Sequence, residues 1–298
     1  MSDQSERVQI TEEEGAGGSR WKKRLARVPW WVSLVILIAL LFIYAVLTNS
    51  GYRETFNIMV FGRPEAEATE GVILTIRITL IAFAIATVLG LIAGLARVSS
   101  NIILNNIATF YVEIVRGVPL VVLILYFAFV LLPIVIDLLA GLGNRLNLDF
   151  LANLNLRNVS FEARAIIALA FGYGAYEAEV FRAGIQSIEH GQMEAARSLG
   201  MTYFQAMRYV ILPQAIRRVL PPLGNDFIAL LKDSSLATVL AVPELTQLGR
   251  IQRSSTFRVF EVFNTVAVMY LSMTLLLSLG VRMLERRLSS GRPSSTIR

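Results

Sequence analysis

The sequence predicts an all-α membrane protein with about six transmembrane helices, on three observations. Of its 298 residues, 55% are hydrophobic and only 17% are charged, where soluble domains carry roughly 25% charged residues. Mean hydropathy is +0.59. Apolar runs of bilayer-spanning length recur along the chain, and Lys and Arg gather beside them rather than on one soluble domain.

Residues 1–29 read as a disordered, then basic, cytoplasmic tail. Glu12-Glu13-Glu14 and the stretch Gly15–Ser19 lack the apolar content to fold. Lys22, Lys23, Arg24 and Arg27 form a positive flank to the first span. The long tail and the poor cleavage site at Thr48-Asn49-Ser50 argue against a cleaved signal peptide. Residues 30–70 hold the first span, Trp31 to Leu47, which carries no charge, and an external loop. Residues 71–285 form the transmembrane core. Its spans are Gly71 to Ala96, with Arg77 near the outer end, and the uncharged Gly117 to Ile136. Glu162 to Ala183 is the next span, weak in hydropathy because of Glu177 and Glu179. The fifth span begins near Pro221-Pro222 and is interrupted by Lys232-Asp233, and the last runs from Val262 to Val281. Residues 286–298 are a second cytoplasmic tail.

Six crossings put both ends on one side, and the flanking arginines and lysines make that side cytoplasmic. The loop 184–218, with Arg197, Arg208, Arg217 and Arg218, is then cytoplasmic too. Arg250, Arg253 and Arg258 fall outside, against the positive-inside tendency. Asp137 to Ser160, rich in Asn, is external, either as a surface for a partner or as a long loop. Net charge is +6 with a pI near 9.8. In a chain this apolar, the basic balance points to the cytoplasmic membrane face and not to nucleic acid.

Several chemistries are excluded. There is no Cys, so there is no disulfide and no thiolate chemistry. One His, His190, cannot make a multi-histidine metal site. No G-x-S-x-G elbow is present, and Asp226 and Asp233, at i,i+7 on one helix, are too far apart to share a proton as a dyad. The chain reads as a non-enzyme. It also lacks a G-x-x-x-x-G-K-[ST] loop, so it cannot hydrolyse ATP through a P-loop of its own.

The segment 189–213 carries the most specific pattern. Glu194-Ala195-Ala196, Gly200 and Val210-Ile211-Leu212-Pro213 sit in the charged cytoplasmic loop. Gly191 to Leu199 is built of good helix formers, and Gly200 is placed to end that helix in the left-handed conformation. Thr202 and Gln205 fit a capping box for a second helix, which Pro213 disfavours continuing. Ala195 and Ala196 permit close helix approach, Glu194 offers an acceptor, and Leu199, Met201, Tyr203 and Phe204 supply an apolar knob. A short, stiff, knobbed helix–turn–helix can transmit a rigid-body push.

This E-A-A-x3-G-x9-[IV]-x-L-P pattern resembles the coupling loop of permease subunits of ABC importers. The resemblance extends to Glu113-Ile114-Val115-Arg116-Gly117-Val118-Pro119, to Ala175–Ile185 and to Leu220–Leu236, which look like the polar amino acid uptake branch. It covers roughly residues 70–285 and implies a type I ABC importer permease fold. It implies two paired permeases, identical or related, two ABC ATPase subunits on the cytoplasmic loops, and an extracytoplasmic amino-acid-binding protein. No cofactor is expected on this chain, ATP-Mg being bound by the ATPase. The implied ATPase-coupling residues are Glu194, Ala195, Ala196, Leu199, Gly200, Tyr203 and Pro213.

Charges within the spans are candidates for the substrate pathway or a gate, because ionised groups at membrane depth are costly. Lys232 and Asp233 lie either in the pathway or in an ion pair at a helix break. Glu113 with Arg116, and Glu179 with Arg182, are spaced i,i+3 and share helix faces, as an inner gate or as plain intrahelical pairs. Glu177 faces a substrate amine or a neighbouring helix. The alternative function is a gradient-driven secondary amino acid transporter, for which such charges would serve as ion sites but which leaves the E-A-A loop without a role.

Overall fold

The computed structural model describes residues 30–64, 70–188 and 190–289. The basic tail 1–29, Glu189, residues 290–298 of the second tail and the side chain of His190 lie outside the described residues. Among the described residues the regular elements are helices, and a lone backbone bridge joins Gly71 to Glu244. The chain divides into two compact units, residues 1–53 and 54–298.

In the first unit, helix α1 (Trp30–Thr48) covers the expected first span. Its side chains are largely exposed, as suits a helix solvated by lipid. Asn49 caps the next helix, its side-chain oxygen accepting the Gly51 N–H at 2.8 Å. That helix, α2 (Ser50–Phe61), runs from the last residues of the first unit into the second and occupies much of the expected external loop.

The second unit continues with α3 (Gly71–Arg97) and α4 (Ile102–Gly117). Next, α5 (Leu120–Tyr126), a π-helical turn (Phe127–Leu131) and α6 (Leu132–Leu146) run on continuously. Short turns, α7 (Asp149–Ala152) and a 3-10 turn (Leu156–Asn158), lead to α8 (Phe161–Gln186). The helices α9 (His190–Ser198) and α10 (Tyr203–Ala206) precede a π-helical turn (Met207–Ile211) and α11 (Leu212–Asp233). A 3-10 helix (Ser234–Leu240), α12 (Leu245–Thr256) and α13 (Val259–Ser289) complete it. Among the described residues, three stretches are by themselves long and apolar enough to cross a bilayer: Gly71–Arg97, Leu120–Leu146 and Val259–Arg287. Helices α8 and α11 have 26 and 22 residues but carry ionisable side chains.

The frame is the parallel pair α3 and α8. Gly90 and Gly94 form a G-x-x-x-G face on α3, which lets two backbones approach closely. A Cβ added at Gly90 would lie 2.7 Å from Cβ of Glu177, and one at Gly94 the same distance from Cβ of Phe181. Each end of the pair is closed by an arginine of α3 on a glutamate of α8: Arg77 to Glu162 at 2.6 Å and Arg97 to Glu179 at 2.6 Å. Ile78, Ala82, Ala86, Ala165, Leu169 and Tyr173 pack a buried core around this seam. Helix α11 lies against α8 where Gly184 receives Val219, and against α13 where Gly224 receives Val281.

Several expectations need correction. The third span does not stop at Ile136, because its helix runs on to Leu146 and ends where Asn147 turns left-handed. The Asn-rich region is therefore helical in its first part. Its remainder is a folded cap held by Arg164, which donates to the carbonyls of Val159 and Leu156. Pro213 does not end its helix. The π-turn puts the Leu212 N–H on the Met207 carbonyl, and the wider turn accommodates the proline at the start of the α-helix beyond. The Gln214 side chain donates to the Val210 carbonyl at 2.8 Å. Pro221 and Pro222 do not begin the fifth span, since they sit inside a helix already running from Leu212.

Candidate coupling and pathway sites

The helix–turn–helix expected over 189–213 is present over its described residues. Helix α9 ends at Ser198, and Gly200 takes φ +83°. Thr202 accepts the Gln205 N–H, and Gln205 reciprocates on the Thr202 N–H at 2.8 Å. Of the two alanines only Ala196 is buried, while Ala195 and Glu194 face outward. Leu199 is 82% exposed and Phe204 71%, and Tyr203 and Tyr209 also project. Apolar side chains held outward on a stiff turn suit a protein partner better than water.

This element is tied to the bundle. Ile188, Ile211 and Ala215 form a small buried cluster with Met193, Met207 and Val210 around it. Arg218 donates to the Ser187 carbonyl. The sequence separated the coupling helix from the fifth span, but the structure fuses them. From Tyr203 to Asp233 the chain is one helical body, with the π-turn as its joint.

The charged candidates fall into distinct places. Arg97 is central to a cluster at the end of the bundle that leads into the coupling element. It holds Glu179 at 2.6 Å and lies 3.6 Å from Glu113, while Arg116 is 4.0 Å from Glu179. Arg182 pairs with Glu179 as its spacing predicts. The expected Glu113–Arg116 pair does not form, because each reaches across to another helix instead. Sequence reasoning missed Arg97, and also the partner of Arg77. The signal was available, since each arginine marks one end of an apolar run, level with a glutamate of a later span.

Glu177 is fully buried, and both of its carboxylate oxygens lack a hydrogen-bond partner among the described residues. The Thr87 hydroxyl lies beside it, and Oδ2 of Asp226 is likewise buried without a hydrogen-bond partner among the described residues. Lys232 and Asp233 stand at a helix break, where α11 passes into the 3-10 helix. They do not pair with each other: Asp233 accepts the Tyr173 hydroxyl at 2.8 Å, and Lys232 is exposed. A cavity of about 520 Å³ is lined by Arg116, Tyr176, Glu179, Arg218 and Asp226, and of the groups just named only Asp226 reaches it. Guanidinium and carboxylate groups line the same cavity.

A multi-helix membrane chain with a stiff, exposed helix–turn–helix fused to one span belongs to a transport class, and the comparisons identify which. The family model for the binding-protein-dependent transport system inner membrane component matches residues 86–290, and this chain belongs to that family. Among its relatives is the glutamine transport system permease protein GlnP of Escherichia coli (strain K12). The two are 39% identical over 219 residues, covering 74% of this chain and 91% of that one. The arginine transport system permease protein ArgU of Corynebacterium glutamicum is 34% identical over 269 residues, covering 88% of this chain and 80% of that one. A crystal structure of an amino acid ABC transporter with histidines superposes with a TM-score of 0.64 at 35% identity, over 81% of this chain and 97% of that one. The MetNI methionine ABC transporter, inward facing, has a TM-score of 0.57 at 21% identity, over 73% of this chain and 94% of that one, and supports the fold alone.

Proposed function

We propose that this chain is the permease subunit of an ATP-driven importer of polar amino acids, moved by a separate ATPase through the Glu194–Pro213 element. The observation that carries this reading is the fusion of the exposed knob to α11. A push on Leu199, Tyr203 and Phe204 becomes a displacement of a membrane helix. Glu194 serves as the acceptor on the docking face, Ala196 seats α9 on the bundle, and Gly200 fixes the angle between the two short helices. Both chain ends and the coupling element face the cytoplasm in this reading. A second permease, identical or related, completes the pathway, and ATP-Mg is held by the ATPase.

ATP binding draws the ATPase subunits together, and α11 swings with the coupling element. The α3–α8 pair, locked by glycines and by ion pairs at both ends, stays as the fixed wall. The pathway runs along the seam between them. Arg116 with Glu179 on one wall, and Arg218 with Asp226 on α11, offer guanidinium and carboxylate groups that suit the carboxylate and ammonium of a zwitterion. Arg97, Glu113 and Arg182 hold the inner end of the seam as a gate, and Glu177, Lys232 and Asp233 lie along it. The relatives that carry glutamine and arginine in their names support a substrate among the polar amino acids.

The test is purification of the complete complex in mild detergent, reconstitution, and measurement of ATPase activity and uptake together. Gly200→Pro, which cannot adopt positive φ, is expected to leave the chain in the membrane while abolishing ATP-driven uptake. Unchanged uptake in that variant would remove the coupling reading. Uptake that follows an ion gradient without ATP would favour a secondary transporter.

A further inference from the structure

Helix α12 lies at the end of the bundle opposite the coupling element. Its start is pinned to the start of α3: the Gly71 N–H donates to the Pro243 carbonyl at 3.0 Å, and the Leu245 N–H to the Thr75 hydroxyl at 3.1 Å. Glu244 caps it, accepting the N–H groups of Thr246 and Gln247 at 2.8 Å each. Leu245, Leu248, Gly249 and Gln252 face inward. The outward face carries Arg250 and Arg253, which flank a shallow groove of about 500 Å³ with Gln247, Ser254 and Ser255. Arg250 touches the Thr238 hydroxyl at 3.3 Å, and neither Arg250 nor Arg253 has a carboxylate partner among the described residues. Arg258, by contrast, is neutralised by Glu54 at 2.7 Å.

These arginines oppose the topogenic rule that keeps cations inside, so some anionic contact on the outer side is the economical reason for them. Phe257, beyond α12, adds a second anomaly. It ends the helix in the left-handed conformation at φ +60°, where glycine is the usual residue. Its ring is 85% exposed, and Phe260 is 78% exposed. The left-handed turn leaves an aromatic ring exposed at the C-terminal end of the helix that carries the two arginines. Aromatic and arginine side chains are the types most enriched at protein contact sites.

We propose that the outward face of α12, with Arg250, Arg253 and Phe257, docks an acidic patch on the extracytoplasmic binding protein. This rests on the importer reading, in which the chain works with such a partner, and the family description names that dependence. Gln247, Ser254 and Ser255 line the groove together with Ile251, and the two guanidinium groups that flank it suit Asp or Glu side chains. The contact is electrostatic and weakens with salt.

The test uses the complete reconstituted complex and its cognate binding protein, and reads ATPase stimulation as a function of binding-protein concentration. The Arg250→Glu/Arg253→Glu double variant is expected to raise the half-stimulating concentration by about tenfold, the scale on which rim charges act. Basal ATPase activity and the maximum at saturation stay as in wild type, and the salt dependence flattens. Charge-reversed variants of acidic surface residues on the binding protein restore the wild-type curve. A curve identical to wild type overturns the proposal. So does a shift that vanishes in vesicles of neutral lipid alone, which assigns the arginines to anionic headgroups. Loss of the second permease from the variant complex assigns them to the permease pair and also overturns it. If the binding protein fails to stimulate even the wild-type complex, the importer reading falls instead. Arg253→Gln, which removes charge without reversing it, gives a smaller shift of the same sign if the double variant assembles poorly.

Discussion

At Gly200 nothing lies within 4 Å of an added Cβ, so substitution there is a matter of backbone alone. Gly200→Ala is expected to cost about 1 kcal/mol, the penalty for holding an L-residue in the left-handed region. It should leave partial uptake, whereas Gly200→Pro leaves none. Uptake and ATPase rates measured side by side separate the two. This residue was legible because a glycine after a run of helix formers and before a capping box has one conformational use. Glu177 was legible as a charge in a span but not as an unpartnered one, since that depends on which helix faces it. Arg97 was legible as a charge closing an apolar run opposite a later glutamate, but its second partner, Glu113 on a third helix, was not.

Helix α3 and helix α8 act as one element. Gly90→Leu is expected to push them apart, because its Cβ would start 2.7 Å from that of Glu177 and both are backbone-near atoms. Overpacking of this kind typically costs about 1–3 kcal/mol, and thermal unfolding of the purified complex reads it. In the segment before α3, Arg63 binds Glu70 at 2.7 Å. The hydrogen bond from Arg63 holds the Glu70 carboxyl below the ordinary carboxylate range, against the opposing effect of burial. A lowered native value means that the unfolded chain binds the proton first. The pair's contribution is thus fully present above the ordinary carboxylate range and fades as pH falls through the lowered native value. Arg63→Gln should lower Tm at neutral pH, and the gap to wild type should close on acidification. A gap that stays constant with pH would show that the charge pair is not its source.

Helix boundaries were misread at the scale of the element too. Proline is a reliable terminator when its neighbours are regular α-helix. At Pro213 the preceding turn is π-helical, a feature without a sequence signature, and the helix passes through. Inside the bundle Pro221 and Pro222 are likewise held within one helix, with tertiary packing around them. Hydropathy failed in the other direction at Ile136, where the helix outruns its apolar content and ends only at Leu146.

For the whole molecule, the helical membrane architecture and the helix–turn–helix at Gly200 were readable from composition, spacing and one loop motif. The count of crossings was not, because α8 and α11 carry charge along their length and their neighbours decide their surroundings. The proposed division into a fixed pair and a mobile lever could not be read either. It depends on the glycine contact between α3 and α8 and on the unbroken path from Tyr203 to Asp233. If that division governs transport, a disulfide engineered between α3 and α8 should spare uptake, while one between α8 and α11 should arrest it until reduced. Arrest by both would mean that no wall of the pathway stands still.

The ion pairs at the two ends of α3 also set a length. Arg77 and Arg97 are twenty residues apart on an unbroken helix, a rise of about 30 Å. That distance matches the thickness of a typical hydrocarbon core. The permease thus carries a ruler for its bilayer, with each polar clamp at a headgroup boundary. Lengthening the lipid acyl chains would draw one clamp into hydrocarbon, and the helix pair can answer only by tilting or by thinning the surrounding lipid. The turnover of this transporter should therefore pass through a maximum as chain length is varied, with the position of that maximum set by the spacing of two arginines.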